Sequence, residues 1–145
     1  DSGKLILSSN TISSCSRAII LSSKVKGTVY PNTFKKNTYN NVKVNSSYVN
    51  TLTVKSLSGK SKSAKTATLN WKKLSSASGY VVYRSASKNG SYTKISTIKK
   101  NKTITYKDSK LKRKSTYYYK IVPYTTIGKT TVYGLDSKIV SIKIK

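Results

Sequence analysis

Gly79-Tyr80-Val81-Val82-Tyr83-Arg84-Ser85 is the stretch on which the fold turns. Aromatic and β-branched residues fill it, and a period of two sets Tyr80, Val82 and Arg84 opposite Val81 and Tyr83. Just upstream, Thr66–Lys73 alternates in the same way, with Ala67, Leu69 and Trp71 on one face and Thr68, Asn70 and Lys72 on the other. Downstream, Asn89-Gly90 reads as a hairpin turn, since both residues tolerate positive φ, and it leads into a strand over Tyr92–Ile98. Thr103–Tyr106 follows as a further strand. Tyr117, Tyr119, Ile121 and Pro123 then share a face, and near the end Val140, Ile142 and Ile144 oppose Ser141, Lys143 and Lys145. With a first strand near Leu52–Leu57 these make seven, spaced by turn residues as in a sandwich or barrel. Helical spacing is weak throughout, and the good helix formers Glu, Gln, Met and Leu are scarce.

These residues carry a family resemblance over about residues 50–145. Thr68-Leu69-Asn70-Trp71, Ala77-Ser78-Gly79-Tyr80-Val81-Val82-Tyr83-Arg84, Leu111 with Thr116-Tyr117-Tyr118-Tyr119-Lys120-Ile121, and Tyr133-Gly134 with Ser137–Ile142 resemble the second, third, sixth and last strands of a fibronectin type III domain. The resemblance is to domains found in secreted and surface proteins of Gram-positive-type bacteria. It implies an all-β, seven-stranded sandwich in which Leu69, Trp71, Tyr80, Val82, Leu111, Tyr119 and Ile121 are structural. Tyr117, six residues after Leu111, would form the tyrosine corner. Such domains usually balance lysine with acid, which this chain does not, and the fold by itself assigns no task.

Residues 1–49 resemble no family and read as a small β-strand-rich segment that pairs with the sandwich or with another chain. Leu5-Ile6-Leu7-Ser8-Ser9 returns fourteen residues on as Ile19-Ile20-Leu21-Ser22-Ser23, either as paired strands or as an echo in a serine-rich sequence. Val25–Tyr30 reads as a strand ended by Pro31-Asn32, and Val42-Lys43-Val44 as another. The segment is too small for a large core of its own. The expected organisation is therefore residues 1–49 followed by a sandwich over 50–145, within a chain of 145 residues.

Charge is the unusual quantity. The chain holds 29 Lys and Arg against Asp1, Asp108 and Asp136, a net charge of +26. Self-repulsion at low salt and attraction to polyanions follow, whether the partner is an acidic glycan, an anionic cell-wall polymer, a nucleic acid or an anionic membrane surface. Lys110, Lys112, Arg113 and Lys114 form the densest basic run, and Lys99, Lys100 and Lys102 a second one; both also read as solvated loops. Tyr39, Tyr48, Tyr92 and Tyr118 could add stacking surface, although tyrosines at period two also serve a sandwich core. No apolar stretch is long enough for a membrane-spanning helix. A chain opening Asp1-Ser2-Gly3 reads either as one trimmed of a leader or as a fragment of something longer, and a secreted or cell-surface location is expected.

Catalysis finds no machinery here. The chain has no His, no Glu and one cysteine, Cys15, so an activated nucleophile or a metal-ligand cluster is not expected. Asp108 and Asp136 fall in expected turns, with nothing to bring them together as a carboxylate pair. No cofactor is expected. Asn-x-Ser/Thr sequences at Asn45, Asn89 and Asn101 are close to chance in so Ser/Thr-rich a chain. The expected function is non-catalytic attachment or structural assembly, with lysines contacting anionic polymers. The alternatives are a fibre or sheath subunit whose N-terminal strands add to a neighbour's sheet, and a non-specific nucleic-acid binder, which no motif supports.

Overall fold

The computed structural model describes residues 52–145 in full and, before them, the backbone of seven short strands. These are β1 (Leu5–Leu7), β2 (Thr11–Ser13), β3 (Arg17–Leu21), β4 (Gly27–Val29), β5 (Thr33–Lys35), β6 (Tyr39–Val44) and β7 (Ser47–Val49). Eight more follow: β8 (Ser58–Lys60), β9 (Ala67–Asn70), β10 (Gly79–Ser85), β11 (Thr93–Ile98), β12 (Thr105–Asp108), β13 (Thr116–Ile127), β14 (Thr130–Tyr133) and β15 (Val140–Lys143). The described residues contain no helix, so none is long and apolar enough to cross a membrane. Two compact units result, one of Thr53–Pro123 with Asp136–Lys145, the other of Asp1–Leu52 with Tyr124–Leu135.

The first unit is a β-sandwich. One sheet runs β12–β9–β8; in the other, β11, β10 and β13 lie side by side, with β15 also paired to β13. Alternation along β9 turns Ala67 and Leu69 inward, and β10 contributes Tyr80 and Val82, all without exposed surface. Tyr119 and Ile121 of β13 are equally buried, and Leu111, Trp71, Ile142 and Ile144 close the core. The Trp71 ring stands edge-on to Tyr80, with centroids 5.4 Å apart. Its indole Nε1 is buried with no hydrogen-bond partner among the described residues.

Three local expectations are corrected. The sandwich opens at β8, Ser58–Lys60, which pairs antiparallel with β9, rather than over Leu52–Leu57; Gly59 packs close there, and a Cβ on it would lie 2.5 Å from Ile142 Cδ1. The β10–β11 connection spans residues 86–92 and does not place Asn89 or Gly90 at positive φ, so it is a wide loop rather than a two-residue turn. Asp108, expected in a turn, ends β12 and is buried.

In the second unit, β13 from Tyr124 onward pairs antiparallel with β14. Gly128-Lys129 makes the two-residue turn between them, Gly128 taking φ 56°. β4 joins β14 in parallel, and β1 joins β4 in parallel. β2 pairs with β5, and β3 with β6, both in parallel, while β7 folds back antiparallel on β6. The echo between Leu5–Ser9 and Ile19–Ser23 thus does not mark partners, for β1 and β3 lie in different sheets. Cys15 and Asp1 lie outside the described residues.

Candidate anion-binding surface

The Lys110–Lys114 turn owes its shape to what flanks it. β12 ends on the buried Asp108, β13 begins at Thr116, and Leu111 between them is 3% exposed, pinning the turn to the core while its basic neighbours stay in solvent. Backbone bonds tie it to two distant segments. Leu111 N donates to Lys65 O (3.0 Å), Lys65 N to Lys145 O (3.3 Å), and Lys114 N to Ile144 O (2.9 Å). The Tyr117 hydroxyl accepts a hydrogen bond from Lys112 N at 3.3 Å, and the Arg84 guanidinium lies over the Tyr117 ring at 5.4 Å.

Lys65, Lys110, Leu111, Lys112, Arg113 and Tyr117 line an open depression of about 690 Å³. Three lysines here have left-handed backbone: Lys65 (φ 58°), Lys110 (φ 61°) and Lys114 (φ 62°). That conformation costs a residue with a Cβ roughly 1 kcal/mol relative to glycine, so lysine is not the easiest occupant. Lys65 lies 45 residues before Lys110, and no local pattern in the sequence links them.

Among the described residues, no acidic side chain lines the depression. Asp108 and Asp136 are the acidic side chains among the described residues, and each is paired. Asp108 Oδ2 accepts from Arg84 Nη1 at 3.0 Å and from the Tyr119 hydroxyl at 3.0 Å. Asp136 Oδ2 pairs with Lys120 Nζ at 2.7 Å. The basic side chains that line the depression therefore make no ion pair with an acid among the described residues.

The second basic run lies elsewhere. Lys99, Lys100 and Lys102 are exposed in the loop before β12, where Ile104 O accepts from Trp71 N and Thr103 N donates to Lys100 O. The Tyr80 hydroxyl donates to Asn101 O at 3.3 Å and accepts from Leu74 N at 2.9 Å, fixing that loop. Because this loop precedes β12 and the Lys110–Lys114 turn follows it, the two runs sit at opposite ends of that strand. Tyr92 is on neither end: its ring holds Lys120 Nζ at 4.9 Å. Tyr118, opposite Ser141 in the β13–β15 pair, is half-buried. The side chains of Tyr39 and Tyr48 lie outside the described residues. No group of three His, Cys, Asp or Glu side chains able to hold a metal occurs among the described residues.

No protein-family model matches the chain, and no curated protein matches it in sequence. Solved structures do. A fibronectin type III-like protein from Clostridium thermocellum is similar at 29% identity with a TM-score of 0.53, over 62% of this chain and 88% of its own. The FN1–FN3 domains of chicken CNTN1 match at 16% identity and TM-score 0.55, over 79% of this chain and 35% of theirs. The sixth fibronectin type III domain of a human fibronectin type III domain containing protein matches at 19% identity and TM-score 0.54, over 66% and 87%.

Proposed function

The sandwich being of fibronectin type III fold with a bacterial counterpart, we propose that this chain is a non-catalytic, secreted or cell-surface protein for attachment, holding anionic wall polymers or acidic glycans at the Lys65/Lys110–Lys114 end of its sandwich. The single observation that carries this reading is the convergence of Lys65, Lys110, Lys112 and Arg113 on one open depression with both described acids engaged elsewhere. A cluster of like charges held by backbone bonds is repelled from within, and a polyanion relieves that repulsion while gaining contacts. Tyr117 offers an aromatic wall suited to a sugar or a glycerol phosphate backbone. Lys99, Lys100 and Lys102 would form a secondary contact for a polymer long enough to reach them.

The test is titration of the chain with poly(glycerol phosphate) and with heparin in about 0.1 M salt. Substituting Lys65, Lys110, Lys112 and Arg113 by Gln should weaken binding more than tenfold. Substituting four lysines outside the depression (Lys72, Lys94, Lys107 and Lys129) removes equal charge and should weaken it only a few-fold. Equal losses in the two variants would reduce the site to bulk charge and sink the proposal.

A further inference from the structure

β12 joins the two basic runs, with Lys99, Lys100 and Lys102 before it and the Lys110–Lys114 turn after it. Alternation along the strand buries Asp108 and leaves Thr105 and Lys107 exposed on the opposite face. Its neighbours in the sheet follow the same rule. β9 buries Ala67 and Leu69 and presents Thr68 and Asn70, while β8 exposes Ser58 and Lys60 and packs Gly59 towards Ile142 and Leu69. Register sets these outward residues in two rows across the sheet. Lys107 lies opposite Thr68 and Thr68 opposite Lys60; Thr105 lies opposite Asn70 and Asn70 opposite Ser58.

Neither row holds an acidic or an apolar side chain. Asp108 is committed on the inward face to Arg84 and Tyr119, and Asp136 to Lys120. Lys60 and Lys107 stand two strand spacings apart, about 10 Å, with the short side chain of Thr68 between them. At that separation two ammonium groups repel weakly in water, and their long, flexible stems both reach a chain laid over Thr68. The hydroxyls are less available, because Thr105 Oγ1 donates to Leu69 O at 3.1 Å and Ser58 Oγ to Asn70 O at 3.4 Å. Attraction on this face therefore falls to the lysines and to the Asn70 amide, which with Ser58, Gly59 and Lys60 lines a notch of about 210 Å³.

We propose that the outward face of β8, β9 and β12 is a track along which an extended polyanion runs from the Lys65/Lys110–Lys114 depression towards Lys99, Lys100 and Lys102, so that the protein selects long linear anionic polymers over short fragments. The inference rests on the anion-binding reading of the depression and adds a direction and a length requirement to it. The four residues of β12 span about 14 Å, and the loops at both ends lengthen the path, so a fragment that fills the depression engages none of the face. A longer chain anchored in the depression brings its next segment to Lys107 and Lys60 at raised local concentration, as a second binding event tethered to the first.

Calorimetric titration of the whole chain with a trimer of glycerol phosphate, and with a poly(glycerol phosphate) several times longer than β12, tests it. Changing Lys60 and Lys107 together to Gln should weaken polymer binding about fivefold and trimer binding less than twofold. Lys88 and Lys94, before and on β11 in the other sheet, serve as a control of equal charge; their change to Gln should cost less than twofold with either probe. Equal losses in the two double variants, or a Lys60/Lys107 variant that loses as much on the trimer as on the polymer, would overturn the track. The variant with Lys65, Lys110, Lys112 and Arg113 changed to Gln separates this failure from that of the underlying reading. If it binds the trimer as well as the unaltered chain does, the depression falls and the track with it. If it loses the trimer while Lys60 and Lys107 prove indifferent to the polymer, the track alone falls.

Discussion

Asp108 shows how one residue joins the two sheets of the sandwich. Its register opposite Ala67 turns it to the inward face of β12, and it is 6% exposed. A carboxylate there must be met by donors, and Arg84 from β10 and Tyr119 from β13 supply them across the sandwich. Asp108→Ala should cost about 3 kcal/mol, since it strands a half-buried guanidinium and a buried hydroxyl. Urea unfolding followed by the fluorescence of Trp71 would read that loss. Burial, the nearby Asp108 charge and the hydrogen bond to it all hold the Tyr119 hydroxyl protonated far above the usual tyrosine value of 10.0. The folded pKa being raised, this contribution is intact below about pH 10, where unfolded tyrosine titrates. Above that the unfolded chain binds fewer protons, so stability falls as pH rises, by up to about 1.4 kcal/mol per pH unit. Tyr119→Phe should remove that part of the high-pH slope and cost about 1 kcal/mol at neutral pH; an unchanged slope would contradict the assignment. Asp108 was not legible as a core residue, because Thr-Tyr-Lys-Asp shows no strong period and its partner Arg84 lies 24 residues away.

Elements with a hydrophobic face could be read from the chain, and those held by a neighbour could not. β9, β10 and the first part of β13 announce themselves through Leu69, Tyr80, Val82, Tyr119 and Ile121, all of which are buried. β8, by contrast, is Ser-Gly-Lys and becomes a strand through pairing with Leu69 and its neighbours, a contact that no local pattern encodes. The parallel partners of β1, β2 and β3 were missed for a related reason: a fixed interval between weak strands is visible only when the chain is compared with itself. Two glycines test the element scale from opposite sides. At Gly59 a methyl group would meet Ile142 Cδ1 at 2.5 Å and Leu69 Cδ2 at 2.9 Å, so Gly59→Ala should overpack the sandwich and cost about 1–3 kcal/mol. At Gly128 no described atom lies within 4 Å of such a methyl group and φ is +56°, so Gly128→Ala should cost about 1 kcal/mol through backbone strain. Thermal unfolding of both variants would check the pair, and a larger loss at Gly128 would contradict this account of the packing.

For the whole molecule, charge dominates. A net +26 on 145 residues opposes compaction, so melting temperature should rise as NaCl is raised from about 0.02 to 0.2 M and screening weakens the repulsion. The Lys110–Lys114 run was legible as a basic turn, whereas the depression was not, because Lys65 is joined to it by long-range backbone bonds, Leu111 to Lys65 and Lys65 to Lys145. On the proposed reading, this end of the sandwich binds polyanions through a defined set of ion contacts. The most direct test is the salt dependence of poly(glycerol phosphate) affinity, compared between the unaltered chain and the variant with Lys65, Lys110, Lys112 and Arg113 changed to Gln. By analogy with counterion release from nucleic acids, the plot of log affinity against log salt should flatten by roughly three to four in slope. Parallel plots with the same slope for both proteins would contradict the claim.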